Sequence, residues 1–564
     1  MIRALIRCDG APVPTKLMAR SWDVQEDIRH QGTKANLNLR IESPSHALLT
    51  SVADRAADLV RIAAYIYAAD QLVRRGGDAD AYGDHWQRHF TVCLPVSDPA
   101  FWSSDGVSGR LREVLQFASE DFWSFEFAQG VPEAQQLPFD VEPQAALGDP
   151  DAVILFSGGV DSLCAVVEAV TEGSRKPLLV GHSPAFNIAG RQRWLAKALK
   201  GRFGQIWHFP YQSFAIHRMG SDPREYTQRT RSFLYATLGA VIAERLGLPE
   251  AALPDNGTVS LNLPTNAQLI GTKASRTTHP KFLRLFNNFV RELWPDGPMV
   301  INPLWSKTRA EGLAILKRAQ VPELLEETNS CSHQRNLTAM RPHCGTCSQC
   351  VDRRFSTLSA SLEEYDPADR YEVDIFRGGI SEGDARTMAI SYVRFAIEVS
   401  EMSDDGLFAR FPELHDAIDP NGTEQRATAE ALTSLLRRYG AMVQAVAEDQ
   451  VGRWRREFVR QELPPTCLIR LLAAPSETVT TARFRPNPDY REVWLDDVKF
   501  PLTPNQARVV EFMHSNGNVA LSQAYILEEL DIRSKNLYHV FRGSAAWGGL
   551  IVPANGQGMY RLNF

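Results

Sequence analysis

The residues whose types and spacing point most clearly to chemistry lie in one short segment, which reads Phe-Ser-Gly-Gly-Val-Asp-Ser-Leu. Apolar residues at 152–156 predict a buried parallel strand before the turn, and those at 163–170 predict a helix after it. A strand-to-helix turn binds an anion through its backbone N–H groups and the helix dipole, and glycine lets the anion approach closely. The candidate phosphate-binding residues are therefore Phe156, Ser157, Gly158, Gly159, Val160, Asp161, Ser162 and Leu163.

Asp161 needs a separate explanation, because a carboxylate does not attract phosphate. We expect its side chain to orient the loop or to help hold Mg²⁺, which prefers oxygen ligands, and we assign it as a candidate catalytic residue. The spacing differs from that of a Walker loop, which requires G-x-x-x-x-G-K-[ST]. The alternative interpretation is an ordinary Ser/Gly turn in an α/β sheet.

A second cluster lies late in the chain, where four of the eight cysteines gather: Cys331, Cys344, Cys347 and Cys350. Four thiolates form a closed tetrahedral set, which favours a structural zinc ion because no ligand position is left for water or substrate. An iron–sulfur cluster also accepts four cysteines and is the alternative. The nearby His333 and His343 are interpreted as bystanders.

Four further polar residues are expected near the loop. Ligands of open parallel sheets bind beyond the carboxyl ends of the strands. His182 ends the predicted second strand. It is therefore predicted either to lie beside the adenine or ribose of a nucleotide or to be an ordinary loop histidine. Lys273 and Arg276 lie in a polar loop that suits an anionic substrate or a leaving phosphate, or that is a solvated surface loop. Arg229 heads a predicted helix, and all three cations are candidates for stabilising developing charge.

These residues need a scaffold, and a chain of 564 residues is too long for one hydrophobic core. The predicted core is an α/β domain with a parallel sheet at 149–362, which carries both clusters. Before it we predict an N-terminal α+β accessory domain at 1–148, with an amphipathic helix at 59–73. After it we predict a helical domain at 363–485, with separate helices at 424–439 and 443–462.

The last region, 490–564, predicts a winged helix. Thr503 opens a helix with a capping box and a proline at the first position, and Ser522 and Ser534 are predicted to cap two more helices. A hairpin is predicted around 555–556, where the sequence is Asn-Gly. This region has too few cationic residues for the phosphate contacts that DNA binding requires, so we favour a role in protein docking over one in DNA recognition.

Net charge, apolar runs and cysteine distribution indicate which partners and which cellular compartment to expect. The net charge of −6 argues against broad nucleic-acid binding, which needs basic surface. We find no signal peptide and no run of eighteen apolar residues, so we expect no membrane association. Clustered cysteines without a secretory signal indicate metal binding in a reducing cytoplasm rather than disulfides.

The loop at 156–162 resembles the SGGxDS loop of the N-type ATP pyrophosphatases, the PP-loop family, in which it holds the β,γ-pyrophosphate of ATP while a substrate is adenylated. With the cysteine cluster added, residues 151–360 resemble QueC, the 7-cyano-7-deazaguanine synthase family. The matching residues include the stretch Pro280-Lys281-Phe282, the stretch from Thr308 to Glu311, and the four cysteines.

The resemblance implies a PP-loop, Rossmann-like fold, with ATP, Mg²⁺ and Zn²⁺ as cofactors. It implies adenylation of 7-carboxy-7-deazaguanine, followed by attack of ammonia to give an amide and then a nitrile. Residues 183–192 of this chain do not contain the Gly-Gln-Arg-His segment of the family. The acidic loop that precedes Pro280 in the family pattern is replaced here by the different sequence of residues 269–279. Both departures fall near the family's substrate, so they leave the amine acceptor and the final product open.

The chain has an additional N-terminal region and the stretch Arg-Thr-Thr-His-Pro at 276–280. In both features it resembles the enlarged QueC-like proteins of bacterial antiphage defence systems. Those proteins are associated with attaching a deazaguanine to a protein amine. This resemblance implies a partner protein that docks on the N-terminal, helical or winged-helix region. Two other hypotheses stay open: a PP-loop enzyme that modifies tRNA, and a nucleotide-sensing winged-helix regulator.

Overall fold

The computed structural model describes most of the chain. It covers residues 1–30, 35–41, 54–75, 87–130, 149–182, 186–203, 211–218, 225, 228–264, 276–332, 338, 340–473, 484–487, 489–495, 498–516, 519–554 and 558–563. The chain forms two compact units, a larger one made of Met1–Arg75 with Gln87–Leu471 and a smaller one made of Gly76–Trp86 with Leu472–Phe564.

The first sheet of the larger unit is built from the N-terminal part of the chain. Its elements are β1 (Ile2–Cys8), α1 (Thr15–Met18), β2 (Val24–Ile28), β4 (Arg88–Val96), α3 (Pro99–Ser103), α4 (Asp105–Ser119) and β5 (Phe122–Gln129). The strand order is β2-β1-β4-β5, and every neighbouring pair is parallel. The predicted α+β character of this region is therefore wrong. Helices cross over between consecutive strands, which is the connection that parallel pairing requires.

The second sheet of the larger unit has six strands. They are β3 (Leu37–Ile41), β6 (Ala152–Leu155), β7 (Pro177–His182), β8 (Tyr211–Arg218), β9 (Glu250–Ala252) and β10 (Met299–Ile301). The order is β10-β9-β6-β7-β8-β3; five strands are parallel, and β3 pairs antiparallel with β8 at one edge. The predicted α/β domain thus receives a strand from the N-terminal part of the chain.

Helices follow the strands of this sheet, and their first residues lie towards its carboxyl edge, as in any βαβ crossover. They are α5 (Val160–Thr171), α6 (Phe186–Phe203), α7 (Arg231–Arg245), α8 (Gly257–Leu261), α9 (Pro280–Leu293), α10 (Arg309–Arg318) and α11 (Ser348–Ser359). A 3₁₀ helix spans Pro322–Glu327. The capping box predicted at Thr308 and Glu311 is confirmed at the start of α10.

Helix α2 (Asp54–Leu72) contacts strands of both sheets and packs on α7. Its predicted amphipathic character is wrong, because nearly every described residue from Leu59 to Val73 is buried. Asp70 of this helix is neutralised by the Arg88 guanidinium at 2.5 Å, which also lies 2.7 Å from Asp121. A helix between two sheets has no solvent face, so charge pairing replaces amphipathicity.

The helical region after the second sheet contains α12 (Asp384–Glu401), α13 (Asp404–Arg410), α14 (Glu413–Ala417), α15 (Gln425–Arg453), α16 (Arg455–Val459) and α17 (Leu468–Ala473). Helix α15 is continuous, so the predicted break between 439 and 443 is wrong. Gly440 faces α12, where an added Cβ would lie 2.4 Å from the Ala396 carbonyl oxygen. The glycine serves close helix packing rather than helix termination.

The smaller unit contains two three-stranded sheets with short helices between them. Its elements are β11 (Phe484–Pro486), β12 (Glu492–Leu495), β13 (Val498–Pro501), α18 (Pro504–Ser515), β14 (Leu521–Ser522), α19 (Gln523–Glu529), α20 (Leu537–Phe541), α21 (Ala546–Gly549), β15 (Ile551–Pro553) and β16 (Met559–Leu562). The first sheet is antiparallel in the order β11-β12-β13, and the second is antiparallel in the order β14-β16-β15.

Local expectations for this unit are mostly confirmed. Thr503 forms the predicted capping box, and the Ser522 side chain caps α19. Ser534 does not cap the third helix; the Asn536 side chain accepts a hydrogen bond from the His539 N–H instead. The hairpin strands are present, while the turn residues 555–556 lie outside the described residues. Within the described ranges, no helix is both long and apolar enough to cross a membrane.

Candidate functional site

The glycine-rich loop connects β6 to α5 at the carboxyl edge of the six-stranded sheet. Phe156 is buried and extends the strand, since its N–H donates to the Val180 carbonyl at 2.7 Å. Gly159 is the N-cap of α5, and Val160, Asp161, Ser162 and Leu163 form the first turn of the helix. The first N–H groups of a helix have no partner within the helix, so this end can bind an anion.

Hydrogen bonds within the loop and from α6 hold the loop in shape. Gly158 adopts a left-handed conformation with φ +78°, which glycine takes at no steric cost. The Ser157 hydroxyl accepts from the Gly159 N–H at 3.2 Å, and the Ser162 hydroxyl donates to the Gly159 carbonyl at 3.0 Å. From α6, the Gln192 amide donates to the Phe156 and Ser157 carbonyls at 3.1 and 3.2 Å. Sequence reasoning missed Gln192, because nothing local links it to a loop more than thirty residues away.

Asp161 is held by an arginine from α10. The Arg309 guanidinium donates to Asp161 Oδ2 at 3.0 Å and lies 2.6 Å from Asp352 Oδ2 on α11. Its Nη2 also donates to the Gln349 side-chain oxygen at 2.9 Å. Although burial alone would raise the pKa of Asp161, Arg309 holds it below its usual value. Asp161 is therefore an ionised carboxylate beside the loop.

A second carboxylate lies beside Asp161. Asp255 follows β9, which pairs with β6, so both acids lie at the carboxyl edge of neighbouring strands. Asn256 donates to Asp161 Oδ2 at 3.2 Å, and the Thr277 and Thr278 hydroxyls lie 3.3 and 3.2 Å from Asp255 Oδ2. Burial and the charge of Asp161 raise the pKa of Asp255 well above its ordinary value. Two adjacent carboxylates, one of them ionised, are ligands that suit a divalent cation.

The four predicted metal ligands come together in the structure. The Sγ atoms of Cys331, Cys344, Cys347 and Cys350 all lie within 4.8 Å of one another, and those of Cys344 and Cys350 are 3.8 Å apart. A tetrahedral zinc ion with Zn–S bonds of about 2.3 Å requires sulfur separations of about 3.8 Å. The cysteine cluster therefore fits a single metal ion.

Local geometry explains how the chain brings these thiols together. Cys347 is the N-cap of α11, which places Cys350 in the first helical turn. Gly345 has φ +83°, and an added Cβ would lie only 1.9 Å from the Val373 carbonyl oxygen. A hydrogen bond with the Cys331 thiol lowers the pKa of Cys347 to about 6, and hydrogen bonding with neighbouring thiols raises the pKa of Cys331.

The cysteine cluster and the loop are linked on two sides through other residues. The Asn329 N–H donates to the Gly158 carbonyl at 3.4 Å, and the Asn329 side chain accepts from the Cys331 N–H at 2.8 Å. On the other side, Gln349 and Asp352 of α11 hold Arg309, which holds Asp161. A metal that orders the cysteines would therefore also order the loop.

The remaining predicted site residues are placed differently. His182 is fully buried, and its ring lies edge-on to Tyr67 and Tyr235 with centroids 5.6 Å away in each case. Arg229 and Arg276 both bind the carboxylate of Glu120. Lys273 lies outside the described residues. The predicted binding and catalytic roles of these four residues stay predictions.

The fold and site together define an α/β protein with a glycine-rich strand-to-helix loop, an acidic pair beside that loop and a four-cysteine cluster suited to a metal ion. No protein-family model matches the chain, and no curated protein matches it. The functional conclusion therefore depends on the residues themselves.

Proposed function

We propose that the chain is an ATP-dependent, AMP-forming carbon–nitrogen ligase with a PP-loop fold that resembles QueC. It adenylates the carboxylate of 7-carboxy-7-deazaguanine and couples the acyl group to an amine. The amine is ammonia, which gives an amide or nitrile, or a protein amine in an antiphage defence system. The observation that carries the proposal is the Ser157–Ser162 loop, with its left-handed Gly158 and an ionised Asp161, packed against the segment that begins the cysteine cluster.

Forming the amide requires two steps, and a nitrile requires in addition that a second ATP adenylates the amide oxygen, which then leaves with AMP as the nitrogen loses its protons. In the first, a carboxylate oxygen of the substrate attacks the α-phosphorus of ATP, and pyrophosphate leaves. In the second, the amine nitrogen attacks the acyl carbon, a C–N bond forms, AMP leaves with the carboxylate oxygen, and the amine loses a proton. Activation is needed because hydroxide is a poor leaving group and AMP a good one.

Each part of the site has a role in this scheme. The N–H groups of the first turn of α5 and the Ser157 and Ser162 hydroxyls bind the pyrophosphate. Asp161 and Asp255 fit Mg²⁺, which when bound neutralises phosphate charge. Arg309 fixes Asp161 in place. The four cysteines fit Zn²⁺ in a structural role, because a closed ligand set leaves no open position.

The smaller unit supports a winged-helix assignment through its helices and the β15–β16 hairpin. We propose that it docks a partner protein. Its exposed side chains near α20 combine few cations, including Arg533 and Lys535, with a half-exposed Tyr538. A DNA reader needs more phosphate contacts than this surface offers. The tRNA-modifying and regulatory hypotheses have no specific support among the described residues.

Identification of the product tests the proposed function. Purified protein is incubated with ATP, Mg²⁺ and 7-carboxy-7-deazaguanine, either with ammonia or with cell extract as amine source, and the products are read by mass spectrometry. We expect AMP together with an amide, a nitrile or a mass-shifted protein. No AMP under any of these conditions would contradict the proposal.

Replacing Gly158 with alanine tests the phosphate-binding role of the loop. The left-handed conformation costs other residues about 1–2 kcal/mol, and the new Cβ would lie 3.2 Å from Gln192 Cγ. We expect the affinity for ATP to fall about tenfold or more, measured by calorimetry. Gly190→Ala is the control, since no atom lies within 4 Å of its added Cβ. Equal ATP affinity in the two variants would contradict the assignment.

The proton on Asp255 predicts a pH dependence. Since its pKa is raised on folding, its contribution to the free energy of unfolding falls as pH rises from about 4 towards the folded pKa. Asp161, with a lowered pKa, stabilises the fold above about pH 4, and this stabilisation is lost below that pH.

Mg²⁺ must displace the proton of Asp255 to bind this carboxylate. We therefore expect the Mg²⁺ affinity, measured by titration with ATP present, to rise with pH. In Asp255→Asn only the pH dependence of Mg²⁺ binding by ATP itself should remain; an equal pH dependence in the two proteins would exclude Asp255 as a ligand.

A further inference from the structure

Arg191 of α6 lies beside the glycine-rich loop. The aliphatic part of its side chain passes close to Gly158, because a Cβ added to this glycine would lie 3.9 Å from Arg191 Cγ. The side-chain amide of the next residue, Gln192, donates to the Phe156 and Ser157 carbonyls at 3.1 and 3.2 Å. This turn of α6 is therefore fixed against the loop, and Arg191 has a set position beside it.

A second segment, residues 327–329, borders the loop at the same glycine. The Asn329 N–H donates to the Gly158 carbonyl at 3.4 Å. The charge of Glu327, at the start of this segment, acts on the Arg191 guanidinium. These contacts place Arg191 at the border between the loop and the segment that leads to the cysteine cluster.

Arg191 is a half-buried cation without a direct counterion in the part of the chain that the structure describes. No described carboxylate forms an ion pair with its guanidinium, whereas the neighbouring Arg353 pairs with Asp366 at 2.9 Å. Burial lowers the pKa of Arg191. The charge of Glu327 opposes this shift, and those of Arg353 and Arg370 add to it. A partly desolvated cation in these surroundings is stabilised by a bound anion.

We propose that Arg191 is a phosphate-binding residue, whose guanidinium binds the pyrophosphate portion of ATP at the loop. This inference rests on the proposed function and deepens it, because it adds a charged side chain to the backbone N–H groups and hydroxyls of the loop. A guanidinium forms charge-assisted, bidentate hydrogen bonds with phosphate oxygens. Negative charge grows on the pyrophosphate as its bond to the α-phosphorus breaks, so a cation there also favours its departure.

Arg191→Met tests the inference, because methionine keeps much of the aliphatic chain beside Gly158 and removes the charge. Calorimetric titration of the full chain with inorganic pyrophosphate and Mg²⁺ measures the contact without any second substrate. We expect the Kd for pyrophosphate and for ATP to rise about tenfold or more. The Kd for AMP should change little, since AMP lacks the pyrophosphate. Arg191→Lys should recover part of the affinity.

Lys197→Met is the matched control, because Lys197 is an exposed cation on the same helix and its loss removes the same charge. We expect this variant to bind pyrophosphate and ATP as the wild type does. A purely structural role for Arg191, as a counterion of Glu327, predicts a different pattern. Arg191→Met and Glu327→Gln would then lower the melting temperature alike and leave the pyrophosphate affinity unchanged.

The outcomes separate this inference from the proposed function. If the wild type forms AMP and Arg191→Met binds pyrophosphate as tightly as the wild type, the inference alone is overturned. Equal losses of pyrophosphate affinity in Arg191→Met and Lys197→Met would also overturn it, because they would reflect the overall charge rather than a contact. A wild type that binds pyrophosphate through Arg191 but forms no AMP would overturn the proposed function and leave the contact standing.

Discussion

We expect Asp161→Ala to lower the rate of AMP formation by at least about 10³-fold while the chain stays folded. The carboxylate is ionised and lies in the turn that we propose binds pyrophosphate, next to Asp255. Its loss removes half of the acidic pair that suits Mg²⁺. The fold should survive, because Arg309 keeps Asp352 as a counterion at 2.6 Å.

Two further variants make this prediction specific. Asp161→Asn keeps a side-chain oxygen that can accept from Arg309 and Asn256 and removes the charge, so a metal role predicts the same loss of activity as alanine. Retention of most activity in Asp161→Asn would mean that the side chain only orients the loop. Glu168→Gln is the control on the same helix, since this carboxylate pairs with Lys307. A folded, fully active Asp161→Ala would refute the catalytic assignment.

The second large effect is expected for Cys347→Ser, which should lose the bound metal and stability together. Structural zinc contributes about 10–16 kcal/mol of apparent binding free energy in small zinc domains. Removing one of the four thiolate ligands should abolish much of this binding free energy. We expect a sub-stoichiometric zinc content by elemental analysis and a melting temperature lower by on the order of 10 °C.

The same substitution should also reduce activity, because Cys347 caps the helix that carries Gln349 and Asp352 to Arg309. Cys467→Ser is the control: Cys467 is buried, more so than Cys347, and lies outside the cysteine cluster. It should keep its zinc. Full zinc retention in Cys347→Ser would show that the cysteine cluster is not the metal site, and a brown protein would indicate iron–sulfur chemistry instead.

Local rules predict the parts of the site that neighbouring residues determine. The strand, turn and helix around Ser157–Ser162 follow from apolar runs that end at glycine. The cysteine spacing brings three thiols to one helix start, and the fourth reaches them from Cys331. In each case the interacting residues are close in sequence or belong to a known ligand pattern.

Contacts between distant segments lie beyond such rules. Asp161 and Arg309 are 148 residues apart, and no local pattern records their pairing. Asp255 lies beside Asp161 only because β9 pairs with β6, and strand order is not written in the sequence of either strand. Gly440 shows the opposite error: a residue that disfavours helices is kept inside one, since close packing against Ala396 outweighs propensity.

Transfer of heavy oxygen from substrate to AMP tests the central claim most directly. The wild-type protein is supplied with ATP, Mg²⁺, an amine source and 7-carboxy-7-deazaguanine labelled in both carboxylate oxygens. An acyl adenylate predicts that each AMP carries one labelled oxygen, because the carboxylate oxygen stays on the phosphorus when the amine displaces AMP. Unlabelled AMP, or ADP in place of AMP, would contradict adenylation of the carboxylate and with it the proposed function.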